Sequence, residues 1–240
     1  MALSSDGRFA AYYSFDGQIT PDDPDLCTDG DWAEPCEDLF IYDRQTGQIE
    51  RIPVGRSSGL GKSYTISLSA DGRFIAFTSL GTSLTSNELS QCDDYRGFSR
   101  TCYTIYLHDR QTGETCLVVN SNGDSIQPAL SADGRYLTFA SLAQNLLPNA
   151  PTCDTPTLTV CGQIYLLDTQ TSELQLISQT TSGEWGNGGS GHPRISADGR
   201  IITFASDASN LVPNDTNAVS DIFRYDTTTG EMMRVSFVER

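Results

Sequence analysis

Four times along the chain, a short segment ends in a Ser-x-Asp-Gly-Arg turn and is followed by a strongly apolar run. The turns are Ser4–Arg8, Ser69–Arg73, Ser131–Arg135 and Ser196–Arg200. Three of the runs are Phe74-Ile75-Ala76-Phe77-Thr78-Ser79, Tyr136-Leu137-Thr138-Phe139-Ala140-Ser141 and Ile201-Ile202-Thr203-Phe204-Ala205-Ser206. Side chains of both parities are apolar or small, which predicts strands packed on both faces. Asp-Gly between two such segments predicts a tight hairpin, because glycine accepts a positive φ and aspartate caps its own turn. After a long loop a third strand follows, as in Ile105-Tyr106-Leu107-His108 or Ile164-Tyr165-Leu166-Leu167. It runs into a second turn, Asp43–Gly47, repeated at Asp109–Gly113 and Asp226–Gly230; the copy at 168–172 ends in Ser172 instead of glycine and is expected to be slightly strained there. A fourth strand closes each unit, and no stretch shows sustained helical periodicity.

The glycines Gly7, Gly72, Gly134 and Gly199 lie 62 to 65 residues apart. A fixed period of that size means stacked supersecondary units. Four-stranded meanders buried on both faces predict an all-β fold, a β-propeller of four consecutive antiparallel blades. The expected blades span about 2–57, 64–120, 126–180 and 192–238 of one domain covering residues 1–240. They would close a four-blade ring or form part of a larger one. The pattern Ser-x-Asp-Gly-Arg-φ-φ-x-Phe-x-Ser, continued by Ile-Tyr-x-x-Asp-x-x-Thr-Gly, resembles the TolB-type, WD40-like (PD40) propeller repeats. The segment from Ala208 to Asn217, leading to Asp221-Ile222-Phe223, is similar to repeats of bacterial cell-surface and secreted proteins. The resemblance covers essentially the whole chain and implies a fold far more specifically than a function.

Seven cysteines change the picture most. Cys36, Cys102 and Cys161 each fall seven residues before the aspartate that closes a third strand, and Cys27, Cys92 and Cys153 each lie 12 or 13 residues after the serine that ends a second strand. Members of each pair are eight to ten residues apart, whereas structural zinc sites pair cysteines two to four residues apart. The register predicts one stapled loop per repeat, with disulfides Cys27–Cys36, Cys92–Cys102 and Cys153–Cys161. Each closed loop would contribute roughly 2.5 kcal/mol in the chain-entropy model. Such bridges place the protein in an extracytoplasmic compartment, periplasmic, cell-surface or secreted. Cys116 is left over as a free thiol in an outer strand. The first residues carry neither a basic segment nor an apolar stretch, so no signal peptide is read there.

A net charge of −16 from 31 acidic and 15 basic residues argues against nucleic acid as a partner. No apolar run approaches the ~20 residues of a membrane helix.

Candidate chemistry gathers on one side. Meander connectivity puts the short Asp-Gly and Thr-Gly turns on one face and the long loops (15–38, 80–104, 142–162, 207–220) on the other. Function on a rigid scaffold usually sits in such loops. Candidate ligand contacts are Trp32, Trp185 and His192, each read as a variable-face loop residue. Asp215, Asn217 and Asp221 alternate in a way that would suit calcium, although turn chemistry is the preferred reading. No cofactor is required. His108 aligns with Tyr42, Leu167 and Tyr225 and is expected to be a packing residue. Gly61-Lys62-Ser63 lacks the upstream glycine of a phosphate loop, and neither Gly-x-Ser-x-Gly nor His-Glu-x-x-His occurs. The expectation is a non-catalytic scaffold for a protein, peptide or glycan, with self-association completing the ring as a further possibility. The alternative is the propeller portion of a hydrolase, or a metal-dependent propeller enzyme.

Overall fold

The computed structural model describes residues 1–16, 18–21, 27–29, 32–34, 38–52, 65–80, 84, 90–93, 99–150, 162–217 and 219–236. They form four four-stranded antiparallel sheets, each a meander. Blade 1 holds β1 (Ala2–Leu3), β2 (Phe9–Ser14), β5 (Asp38–Asp43) and β6 (Gln48–Ile52). Between β2 and β5 lies a small hairpin, β3 (Cys27–Asp29) with β4 (Trp32–Glu34). Blade 2 holds β7 (Ile66–Leu68), β8 (Phe74–Ser79), β11 (Thr104–Asp109) and β12 (Glu114–Leu117), and its long loop carries a second hairpin, β9 (Gln91–Asp93) with β10 (Ser99–Thr101). Blade 3 is β13 (Ser125–Leu130), β14 (Tyr136–Ser141), β15 (Gln163–Asp168) and β16 (Glu173–Leu176). Blade 4 is β17 (Ser190–Ile195), β18 (Ile201–Ser206), β19 (Asp221–Asp226) and β20 (Met232–Arg234). The architecture is an all-β propeller, with the strands where the repeat predicts them.

Alternation of side chains across each strand supplies a core on both sides of the inner blades. One parity of each blade faces the blade before it: Ile75, Phe77 and Tyr106 of blade 2 join Leu39 and Ile41 of blade 1. The other parity faces the blade after it, as Ala76 and Ile105 join Leu137, Phe139 and Tyr165 of blade 3. In every blade an aromatic of strand two stacks on one of strand three. Centroids are 5.9 Å apart for Tyr12–Phe40, 5.7 Å for Phe77–Tyr106, 5.5 Å for Phe139–Tyr165 and 5.7 Å for Phe204–Phe223. Such pairs contribute about 0.5–1.5 kcal/mol beyond area burial.

Inner strands β7, β13 and β17 neighbour one another, so they line the propeller axis. Backbone bonds link successive blades at the Asp-Gly turns: Ala70 N donates to Ala132 O (2.7 Å) and Ala132 N to Ala197 O (2.9 Å). Substantial strand contacts join blades 1 and 2, 2 and 3, and 3 and 4, with none joining 4 to 1 among the described residues. Among the described residues the four blades follow one another as an arc.

Candidate functional site

The Ser-x-Asp-Gly-Arg motif is consumed by its own turn. Ser4, Ser69, Ser131 and Ser196 donate their hydroxyls to Asp6, Asp71, Asp133 and Asp198 at 2.5–2.6 Å. Each carboxylate accepts the arginine backbone N–H, and each serine oxygen accepts the N–H of the residue after the arginine. The arginine side chain then reaches to the end of strand three in its own blade. Arg8–Asp43, Arg73–Asp109, Arg135–Asp168 and Arg200–Asp226 pair at 2.6–2.8 Å. These guanidiniums hold their aspartates below the usual carboxylate range, with Asp226 lowered to about 2. The serine, aspartate and arginine side chains of the motif thus all have partners within their own blade.

The opposite face differs. Cys92 and Cys102 form a disulfide with Cα atoms 5.0 Å apart, closing the β9–β10 hairpin; both are buried. A backbone bond from Cys102 N to Ser90 O (3.0 Å) holds the same base. Cys116 is a free, exposed thiol in β12, in the outer strand the sequence places it in. Cys36, Cys153 and Cys161 lie outside the described residues, and with them the pairings Cys27–Cys36 and Cys153–Cys161.

At the loop-side start of the inner strands three equivalent positions interlock. Thr65 Oγ1 accepts the backbone N–H of Gln127 (3.0 Å), and Gln127 Oε1 accepts the backbone N–H of His192 (2.7 Å). Gln127 Nε2 also lies 3.2 Å from His192 Nδ1. Gln127 and His192 both sit at β-bulges of their inner strands and have φ of 59° and 56°. A left-handed conformation at a non-glycine residue is costly and often marks a functional position. His192 is therefore an exposed residue of an inner strand, a correction to its reading as an inter-blade loop residue. The error arose because the bulge breaks the alternating pattern that signals a strand. Gln127 was missed, and the only signal for it was its register with His192, 65 residues on.

Trp185 does lie in the loop before β17, but it is largely covered. Its indole meets the Tyr165 ring edge-on (6.4 Å, 69°) and packs on the cluster between blades 2 and 3. The side chain of Trp32 lies outside the described residues. Asp215, Asn217 and Asp221 do come together, around a cation of the chain's own. Arg234 Nη1 bonds Asp215 at 2.7 Å and Asp221 at 3.3 Å, while Asn217 and Ser236 donate to Asp221. Asp38 and Arg51 form the matching pair in blade 1 at 2.8 Å. His108 is buried and bonds Thr115 across β11 and β12 (2.9 Å), its pKa pushed down chiefly by burial.

This geometry matches solved propellers. A TolB-assigned protein from Agrobacterium tumefaciens superposes over 97% of this chain and 62% of its own, at 14% identity and a TM-score of 0.55. The fold is that of a β-propeller. The tricorn protease matches this chain over 98% of it and 22% of its own length (14% identity, TM-score 0.54). The β-propeller domain of the trilobed protease from Pyrococcus furiosus, of open velcro topology, matches over 98% and 55% (12% identity, TM-score 0.50). The chain spans less than two thirds of each of these solved chains. No family model matches it, and no curated protein matches it significantly. Among the described residues no helix has the length and apolarity to cross a membrane.

Proposed function

We propose that the chain is a non-catalytic, extracytoplasmic binding scaffold that takes a protein, peptide or glycan on its loop-rich face. The observation that carries this reading is the contrast between the two faces. One side repeats short turns, and the serine, aspartate and arginine of the Ser-x-Asp-Gly-Arg motif there are paired within their own blade. The other carries a disulfide-closed hairpin and, at the axis, the exposed imidazole of His192 on its strained support. Within this reading the second and third staples repeat the first, and calcium is an accessory at most. The Cys92–Cys102 bridge supports an oxidising compartment.

The test is to probe immobilised protein with peptide and glycan arrays, then to titrate the best hit. Replacing Cys92 and Cys102 by serine is expected to weaken binding about tenfold or more, while Gln111→Ala on the short-turn face leaves it within about twofold. Alanine at His192 removes a single contact at the axis and leaves binding largely intact, because the stapled loops supply most of the contact. Loss of a demonstrated turnover in that variant would overturn the non-catalytic reading in favour of a propeller enzyme or the propeller part of a hydrolase.

A further inference from the structure

The disulfide-closed hairpin of blade 2 is bonded to the connector that leads into blade 3. Ser90, just before β9, donates its hydroxyl to Asn120 Oδ1 (3.1 Å). Tyr103, the residue after Cys102, donates its backbone N–H to Asp124 Oδ1 (2.9 Å). Its carbonyl accepts the backbone N–H of Ser125 (2.8 Å). Ser125 opens β13 and is fully buried, and its hydroxyl bonds those of Ser121 and Ser141. Two residues further on, at the bulge, comes Gln127.

The step from blade 3 into blade 4 is the same. The carbonyl of Gly162, the residue after Cys161, accepts the N–H of Ser190 (2.6 Å). Ser190 opens β17, two residues before His192. In both steps, then, the residue after the second cysteine holds the first residue of the next inner strand, and the left-handed axial residue follows at the same spacing. A left-handed backbone at a non-glycine residue persists only where its surroundings over-determine it. Around Gln127 those surroundings are Thr65 Oγ1, which takes its N–H, and the Tyr103 carbonyl, which fixes the strand two residues upstream. The second of these is anchored next to the bridge.

We propose that the Cys92–Cys102 bridge is a redox-sensitive latch on the axial end of the loop-rich face. Closed, it fixes Tyr103 and the start of β13, and Gln127 keeps the conformation in which its Oε1 takes the His192 N–H (2.7 Å). Opened, it frees Tyr103, and the bulge loses one of its two supports. Opening is a two-electron exchange with a dithiol. One thiolate of the dithiol attacks a bridge sulfur, and the other bridge sulfur leaves and takes up a proton. The second sulfur of the dithiol then displaces the first cysteine, which is protonated in turn, leaving two cysteine thiols and an oxidised dithiol. Both cysteines are buried, so the exchange waits on a local opening of the hairpin. As regulation of the loop-rich face the latch rests on the scaffold reading. Its geometry is measured with no ligand present, so its failure and the failure of that reading are separate results.

Amide hydrogen exchange of the full chain, resolved residue by residue by NMR, tests this. The samples are the oxidised chain, the chain in excess dithiothreitol, and the double variant Cys92→Ser with Cys102→Ser, which opens this bridge alone. In both opened forms the amides of Ser125, Gln127 and His192 are expected to exchange about tenfold faster or more. Those of Ala70 and Ala132, which bond blade to blade on the opposite face, should stay within about twofold. Gln127→Gly accepts the same left-handed backbone but lacks the side chain. With the bridge closed it should unprotect His192 and leave Ser125 protected, which orders the relay from bridge to Ser125 to Gln127 to His192. Unchanged exchange at Ser125 and Gln127 with the bridge open would overturn the proposal. Equal loss at Ala70 and Ala132 would do the same, because the bridge would then support the whole fold and latch no one part of it. Protection of His192 in Gln127→Gly would overturn the relay.

Discussion

The ring of Tyr136 lies directly on the α-carbon of Gly199, one blade ahead. A β-carbon at Gly199 would sit 2.4 Å from Tyr136 Cδ2, and the glycine has φ +73°. Gly134 stands in the same relation to Phe74, and Gly72 to Phe9, so the glycine of the motif serves both its turn and the blade interface. A guanidinium of the same blade lies over each of the Phe9, Phe74 and Tyr136 rings at 4.6–4.9 Å.

That double duty can be separated. Gly134→Ala carries both the left-handed strain and the collision with Phe74, and should cost about 3 kcal/mol. Gly113 has almost the same φ, +74°, but nothing within 4 Å of its β-position. Gly113→Ala should therefore cost only about 1 kcal/mol. Urea unfolding midpoints compare the two, and equal losses would show that the ring contact contributes nothing.

Ser172 is the converse case. It holds φ 60° where Gly47, Gly113 and Gly230 hold 72–74°. Ser172→Gly relieves that strain against the greater freedom of an unfolded glycine, for a net gain of about 0.5 kcal/mol. A lowered melting temperature would contradict this.

The Tyr165 hydroxyl is buried with no hydrogen-bond partner among the described residues. Burial pushes its pKa up, and blades 1 and 4 use Phe40 and Phe223 at the same position. Tyr165→Phe should leave stability unchanged or raise it by about 1 kcal/mol. A loss of that size would mean that the hydroxyl is bonded in solution.

Acid stability follows from the four arginine-held aspartates. Each has a lower pKa folded than unfolded, so its contribution is complete above about pH 4 and is lost as the pH falls through the folded value. With Asp226 lowered to about 2, melting temperature should drop between about pH 4 and pH 2. Asp226→Asn should be less stable at pH 7 yet lose less over that acid window than the wild type. A parallel pH curve for the variant would contradict the assignment.

How much of this was legible in the sequence depends on the periodicity of each element. Strands such as Phe74–Ser79 and Ile201–Ser206 follow a turn of fixed composition and pack on both faces, so residue type alone locates them. The strain at Ser172 was legible because three glycines occupy the same position. His192 and Gln127 were not, because a bulge inserts a residue that belongs to neither face and no local composition announces it. The small hairpins β3–β4 and β9–β10 were read as loops, since three-residue strands are too short to show alternation. Trp185 looked free because its partner Tyr165 comes from a distant strand, and Arg234 closes the Asp215–Asp221 group from 13 or more residues downstream.

The most direct test of a disulfide-stapled, extracytoplasmic propeller is a count of free thiols. Intact mass after alkylation in denaturant, without reduction, should show one labelled cysteine, mapped to Cys116. Seven labelled cysteines would contradict the staples and, with them, the compartment and the stapled binding face.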